Sequence, residues 1–445
     1  MWPLALLVVC VVFIVVASTR LKLHPFLALL LAALGYGMAV GRMPLVDVVK
    51  AINDGFGATV GYIGLVILAG SVIGVFLEKS GGASSLAETT LRLVGRRNVP
   101  AAMALIGYLV SIPVFCDSAF VILAPLTRAL SRGAGISLAP SAIALSLGLY
   151  TTHTMVPPTP GPVAAAGLLE ADLGMVILWG LVVSGFAMAA GWLFAVKVAA
   201  RVEIDPAGPE DRAEPAAEAW RPSPAKAVLP ILLPIVLIVL KSIGDFPSHP
   251  FGQGRPADVI GFVGQPVVAL LIGVFLALLL PRKLNRDMLS AAGWVGEAVV
   301  PAAMIIVVTG CGGAFGKVIQ QSGIAEDVKG ILGGANLGLW LPILLAAALK
   351  TAQGSSTVAM ITTASIVAPL LPVLGLDAPA VRPLVAVAIG AGSIMVSHAN
   401  DSFFWVVVQL SKMTVKQGYR LHTLGSLVIG STAALATWLL SLLAA

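Results

Sequence analysis

Charge is what this 445-residue chain has least of: Asp, Glu, Lys and Arg together make up 11% of it, against 58% hydrophobic residues. With a mean hydropathy of +0.99, that shortage excludes an ordinary soluble domain, whose residues are roughly 25% charged, and marks an integral membrane protein. Cysteine is scarce too. Cys10, Cys116 and Cys311 stand singly in apolar stretches, so no disulfide framework or CxxC metal site is implied, and they read as small core residues. There is no HExxH, and no serine or cysteine stands in a recognisable nucleophile motif. Those absences argue against a membrane-embedded hydrolase or transferase using His153 or His398 as a base. The opening WPLALLVVCVVFIVVAS lacks a basic n-region and is followed at once by a second apolar stretch, so it is expected to be an uncleaved first helix. The net charge of +6 comes from short loops between apolar spans; it reports orientation in a membrane rather than nucleic-acid binding.

What is present is a membrane half written twice. LAGSVIGVFLEKSGGA (68–83) realigns with TGCGGAFGKVIQQSGIA (309–325), pairing Ser80 with Ser322 (322 − 80 = 242). Pro125 then faces Pro369 (369 − 125 = 244) and His153 faces His398 (398 − 153 = 245). A duplicated half with interrupted helices is the pattern of a secondary transporter. Apolar spans of about 17 to 25 residues are predicted at 2–19, 24–42, 57–79, 137–156 and 173–197, and again at 226–244, 263–281, 298–318, 383–398 and 422–443. Between the third and fourth span of each half lies a further apolar stretch, 100–134 and 338–374, broken by PVFCDSAF and TAQGSST; each reads as a re-entrant hairpin. Five crossings per half, an odd number, set repeat 1–200 and repeat 226–445 in opposite orientations. With the N-terminus outside, 19 of the 27 Lys and Arg fall on the cytoplasmic side, within 20–22, 79–97, 128–132, 197–226, 282–286 and 412–420, as the positive-inside rule requires. The linker 201–225, rich in Pro, Ala and charge, is expected to be cytoplasmic and flexible.

Four interruptions carry the chemistry. The first hairpin tip, PVFCDSA (113–119), holds Asp117 and Ser118; a carboxylate at membrane centre costs about 2.5–3.5 kcal/mol on insertion scales and marks function. Capping the helix that follows is compatible with proton carriage by the same acid. The fourth span ends in TTHTMVPPTPGP (151–162), with Thr152, His153 and Thr159 among four prolines that forbid a regular helix. Irregular backbone at that depth lines protein or a wet cavity, although His153 alone also fits a packing role. The second tip, KTAQGSST (350–357), offers Gln353, Gly354, Ser355, Ser356 and Thr357, an anion cradle if a short helix begins there. Lys350 is expected to snorkel to the outer surface with its stem in apolar packing. SIMVSHANDSF (393–403) is expected to place Ser397, His398, Asn400 and Asp401 within one helical turn, where imidazole and carboxylate exchange a proton or form a structural pair. Gly55-Phe56-Gly57 reads as close helix packing, not a nucleotide loop.

The segments IPVFCDSAFVILAPL (112–126), HTMVPPTPGPVAAA (153–166), KTAQGSSTVAMITTA (350–364) and VSHANDSFFW (396–405) run in order over nearly the whole chain. At these residues it resembles the gluconate:proton symporter (GntP) family of the ion transporter superfamily. It differs from the family's frequent PPHPGP at Thr159, and Cys116 replaces a bulkier residue before Asp117. The resemblance implies an all-α polytopic, elevator-type transporter of two inverted-topology repeats, a homodimer in the inner membrane, taking up gluconate or a related small hydroxy or sugar acid anion with protons. Physics gives proton coupling a reason of its own: carrying one negative charge into a negative-inside cell costs about 2.3 kcal/mol per 100 mV, and a co-transported proton cancels that cost. Ser118, Thr152, His153, Thr159, Gln353, Gly354, Ser355, Ser356, Thr357, His398 and Asn400 are then the candidate substrate-binding residues. Asp117 is the leading proton carrier, with His153, His398 and Asp401 as relay or orienting groups. The coupling ion is H+, with no organic cofactor, metal or soluble partner; the alternative keeps the fold and couples Na+ through hairpin carbonyls and Asn400 or Asp401.

Overall fold

The structure, a computed structural model, describes residues 2–94, 98–206, 221–245, 250–252, 254–324, 327 and 337–444. Among these residues the regular structure is helical, with no strand. The first half carries α1 (Trp2–Thr19), α2 (Pro25–Val40), α3 (Leu45–Lys79), α4 (Gly82–Val94), α5 (Val99–Val110), α6 (Cys116–Gly133), α7 (Leu138–Met155), α8 (Pro160–Leu168) and α9 (Leu173–Lys197). The second carries α10 (Pro224–Gly244), α11 (Arg255–Val263), α12 (Pro266–Ala277), α13 (Trp294–Gln321), α14 (Trp340–Gln353), α15 (Ser356–Val367), α16 (Arg382–Ile394) and α17 (Ser402–Leu410). It closes with α18 (Val415–Leu442), which contains a π-turn at Tyr419–Thr423. Most of the linker, 207–220, lies outside the described residues, as do Arg96, Arg97 and Arg212.

Local chemistry explains the boundaries. Pro25, Pro160, Pro224, Pro266 and Pro383 each open a helix, where a missing N–H is no loss. Asp172 caps α9 by accepting the Met175 N–H at 2.8 Å, and Ser137 caps α7 by accepting the Ala139 N–H at 3.3 Å. Three predicted spans come out differently. The span 57–79 begins at Leu45, because Asp47, Lys50 and Asp54 end the apolar run without ending the helix. The span 263–281 is replaced by α11 and α12, which meet at 66° where Pro266 starts a new helix. The span 383–398 stops at Ile394, and Val396 takes a positive φ of 55°, so Ser397 to Asp401 do not form the expected helical turn.

Among the described residues α9, α10, α13 and α18 have the length and apolarity of membrane crossings. Two helices are buried on every face: α7 along its whole length and α16 from Pro383 to Ile394. A helix apolar all round belongs in an interior, and these two form the centre against which the interrupted segments pack. The segments 100–134 and 338–374 are each two helices joined by a short tip, α5 with α6 and α14 with α15. The long helices α3 and α13 lie against each other, and a Cβ on Gly55 would meet Ala314 Cα at 2.9 Å and the Gly313 carbonyl closer still. Glycine at 55 is therefore a packing requirement. Ser80 and Ser322 occupy the C-cap positions of α3 and α13.

Candidate functional site

Three helix N-termini open onto one cavity of about 320 Å³. Cys116 and Asp117 come from the first turn of α6, Ser356 and Thr357 from α15, and Ser402 and Phe403 from α17; Phe115, Tyr150, His153, Gln353, Gly354, Ser355, Asn400 and Asp401 complete the lining. First-turn N–H groups have no intrahelical acceptor and sit at the positive end of the helix dipole, so their convergence favours an anion. The geometry follows from a few side chains. Ser355 caps α15 by accepting the Val358 N–H at 3.3 Å, and Asp401 caps α17 by accepting the Phe403 N–H at 3.2 Å. Gly354, between α14 and α15, has φ +84°, and a Cβ there would strike the Asn400 carbonyl. Both conditions exclude a side chain.

Lys350 departs most from expectation. Instead of snorkelling outward it is fully buried, with Nζ 2.6 Å from Asp401 Oδ2, donating also to the Gly354 carbonyl, and 5.7 Å from the centroid of the Tyr150 ring. The same Oδ2 accepts the Tyr150 hydroxyl at 3.0 Å and the Ser397 hydroxyl at 2.5 Å. The reason is that a partner carboxylate lies inside: once ammonium and acid are paired and hydrogen-bonded, pulling them apart strands a buried charge. Tyr150 Oη also lies 2.9 Å from Ser356 Oγ, and Ser356 donates to the Ser393 carbonyl at 2.8 Å. The imidazole linked to Asp401 is that of His422, not His398. Ser397 Oγ is 3.1 Å from His422 Nε2, and Ser146 Oγ is 3.5 Å from its Nδ1.

Asp117 is held more loosely. It is half-buried, accepting the Ser402 hydroxyl at 3.2 Å on Oδ1 and the Cys116 thiol at 3.8 Å on Oδ2. His153 Nδ1 and both polar atoms of the Gln353 amide are buried without a hydrogen-bond partner. Buried polar groups are normally satisfied, and these three unpaired atoms belong to residues lining one cavity. Asn400 joins the lining while donating to the Thr351 and Ala352 carbonyls at 2.8 and 3.3 Å. Ser118, Thr152, Thr159 and His398 do not line it. The Thr152 hydroxyl donates to the Tyr108 carbonyl at 2.9 Å, the Thr159 hydroxyl to the Val156 carbonyl at 2.7 Å, and His398 Nε2 bonds the Thr351 carbonyl at 2.9 Å while its ring stacks on Tyr419.

Sequence reasoning missed Tyr150, Lys350 and His422. Tyr150 stands three residues before His153 on one helix, a same-face spacing that would have found it. Lys350 and Asp401 are opposite charges in otherwise apolar segments, and such charges pair.

A family model described as GntP family permease matches residues 2–443. A gluconate permease of Pseudomonas aeruginosa is 34% identical over 440 residues, covering 98% of this chain and 96% of that protein. The D-serine transporter DsdX of Escherichia coli is 33% identical over 449 residues, covering 99% and 98%. Among solved structures, the YdaH transporter of Alcanivorax borkumensis, described as having an unusual topology, aligns with a TM-score of 0.69 over 94% of this chain and 98% of that one at 17% identity; that likeness concerns the fold.

Proposed function

The chain belongs to the GntP family of permeases and is a multi-pass membrane transporter rather than an enzyme, and from that premise we propose that it takes up gluconate or a related small hydroxy or sugar acid anion with a proton, across the inner membrane. The observation that carries this reading is the cavity itself, where three helix N-termini surround the unpaired Gln353 amide and His153 Nδ1. The substrate carboxylate takes the first-turn amides of Ser356, Thr357 and Ser402, and its hydroxyls take Gln353, His153 and Asn400. Gluconate and D-serine, the substrates named for two relatives, share a carboxylate with a nearby hydroxyl, which is the pattern such a cradle reads. Asp117 carries the proton, while His398 and Asp401 orient the second tip.

In this reading the halves 1–200 and 226–445 are inverted repeats joined by 201–225, with hairpins entering from opposite faces. The site travels as an elevator past a homodimeric scaffold containing the first two predicted spans of each half, 2–19 with 24–42 and 226–244 with 263–281. The matched C-cap positions of Ser80 and Ser322 support that pairing. The test is uptake by the full chain in sealed vesicles, starting from the sugar acid, hydroxy acid or D-amino acid that most raises its thermal stability. An inward proton gradient drives accumulation, and replacing Na+ by choline changes nothing. Asp117→Asn abolishes pH-driven accumulation; full retention of it removes the proton role from Asp117.

A further inference from the structure

We infer that the ammonium of Lys350 is a resident cation, seated where a monovalent metal ion would otherwise bind between the second hairpin tip and Asp401, and that the seat is thereby closed to Na+. The inference deepens the transport reading given above and rests on it.

The seat has the make-up of a hard-cation site. It is formed by the Gly354 carbonyl and the Asp401 carboxylate, with the Tyr150 hydroxyl bonded to that carboxylate and the Tyr150 ring face 5.7 Å from Nζ. Oxygen donors of this kind suit Na+, and the C-terminal end of a half-helix beside unwound backbone is where transporter folds coordinate it. The helix α14 ends at Gln353, and Lys350, in its last turn, folds back so that its charge lies at the negative end of that dipole. Two backbone oxygens of the same tip are also committed. The Thr351 carbonyl accepts from His398 and Asn400, and the Ala352 carbonyl accepts from Asn400. With Lys350 wholly buried, its charge performs the neutralisation of Asp401 that a bound ion would perform, and it stays in place through every cycle.

Emptying the seat tests this. Thermal unfolding of the purified full chain is compared in NaCl and in choline chloride at equal ionic strength, for wild type, Lys350→Ala, Lys350→Arg and the double variant Lys350→Ala/Asp401→Asn. Lys350→Ala leaves a buried carboxylate among oxygen donors and gains a Na+-specific rise in Tm on the order of 2 °C or more. Wild type and Lys350→Arg, whose seats stay filled, unfold alike in both salts, and the double variant loses the gain because the carboxylate is gone. Equal Tm of folded Lys350→Ala in the two salts overturns the inference, as does a Na+ response in Lys350→Arg as large as in the alanine variant. Should Lys350→Ala be recovered only with difficulty, its monodisperse yield in NaCl against choline chloride is the second measurement. A higher yield in NaCl supports the seat, and equal failure in both salts overturns it. Wild-type uptake that ignores a proton gradient would sink the proton-coupled reading while leaving these salt responses untouched.

Discussion

The two hairpin tips face the same cavity and hold their charge in opposite ways. At the first, Asp117 is half-buried and accepts one hydroxyl at 3.2 Å and one thiol. At the second, Lys350 is fully buried against Asp401 of the segment 393–403, an acid 6% exposed that gathers this ammonium, a phenol and a serine hydroxyl on a single oxygen. An acid with few partners can gain and lose a proton without dismantling its surroundings. One that anchors three donors cannot, so the difference separates a group suited to exchange from one that fixes shape.

The comparison breaks or sharpens through substitutions of graded effect. Asp401→Ala leaves Lys350 buried without its counter-charge and costs about 3–5 kcal/mol in chemical or thermal unfolding; a loss below about 1 kcal/mol would make the second tip no more structural than the first. Tyr150→Phe removes one hydrogen bond to a charged group and costs about 1.5–3 kcal/mol, with Tm lowered in the same assay. Asp117→Asn changes stability by less than about 1 kcal/mol yet suppresses pH-driven accumulation at least tenfold, on the order of one pK-unit equivalent of driving force. A variant as unstable as Asp401→Ala would erase the contrast between the tips. The smallest effect lies at a site away from both tips. Arg42 donates to Asp327 at 2.6 Å and holds that carboxyl below its ordinary range. The pair's stabilisation is therefore present above the ordinary carboxylate pKa and lost as pH falls through the lowered one. Tm of Asp327→Asn and wild type should differ slightly near neutral pH and converge in acid.

Much of this arrangement was legible in the chain. In both apolar stretches the helix breaks where the polar residues interrupt the run, and Asp117, His153, Gln353 to Thr357, Asn400 and Asp401 all line one cavity. What escaped has a common physical reason. Lys350 lies in the last turn of an apolar helix, and the apolar pattern alone predicts a stem that reaches for water; only its contact with Asp401, 51 residues away, reverses that. His422 is a single residue in an apolar helix with no motif around it, and Tyr150 stands just before the interruption 151–162; the importance of both comes from contacts between distant segments. Conversely, Thr152, Thr159 and His398 sit inside motifs, yet their side chains bond carbonyls instead, because a helix that stops leaves last-turn carbonyls without intrahelical donors.

The broken helices also set a clock for isotope exchange. Deuterium reaches a buried segment only where amide protons are neither locked in a helical ladder nor shut away from solvent. The first-turn residues Asp117, Ser356, Thr357 and Ser402 line the cavity, whereas α7 and α16 are sealed on every face. Labelling should therefore start in the middle of the protein, at three points far apart in the chain, before it enters the helices around them. A bound carboxylate would slow all three together.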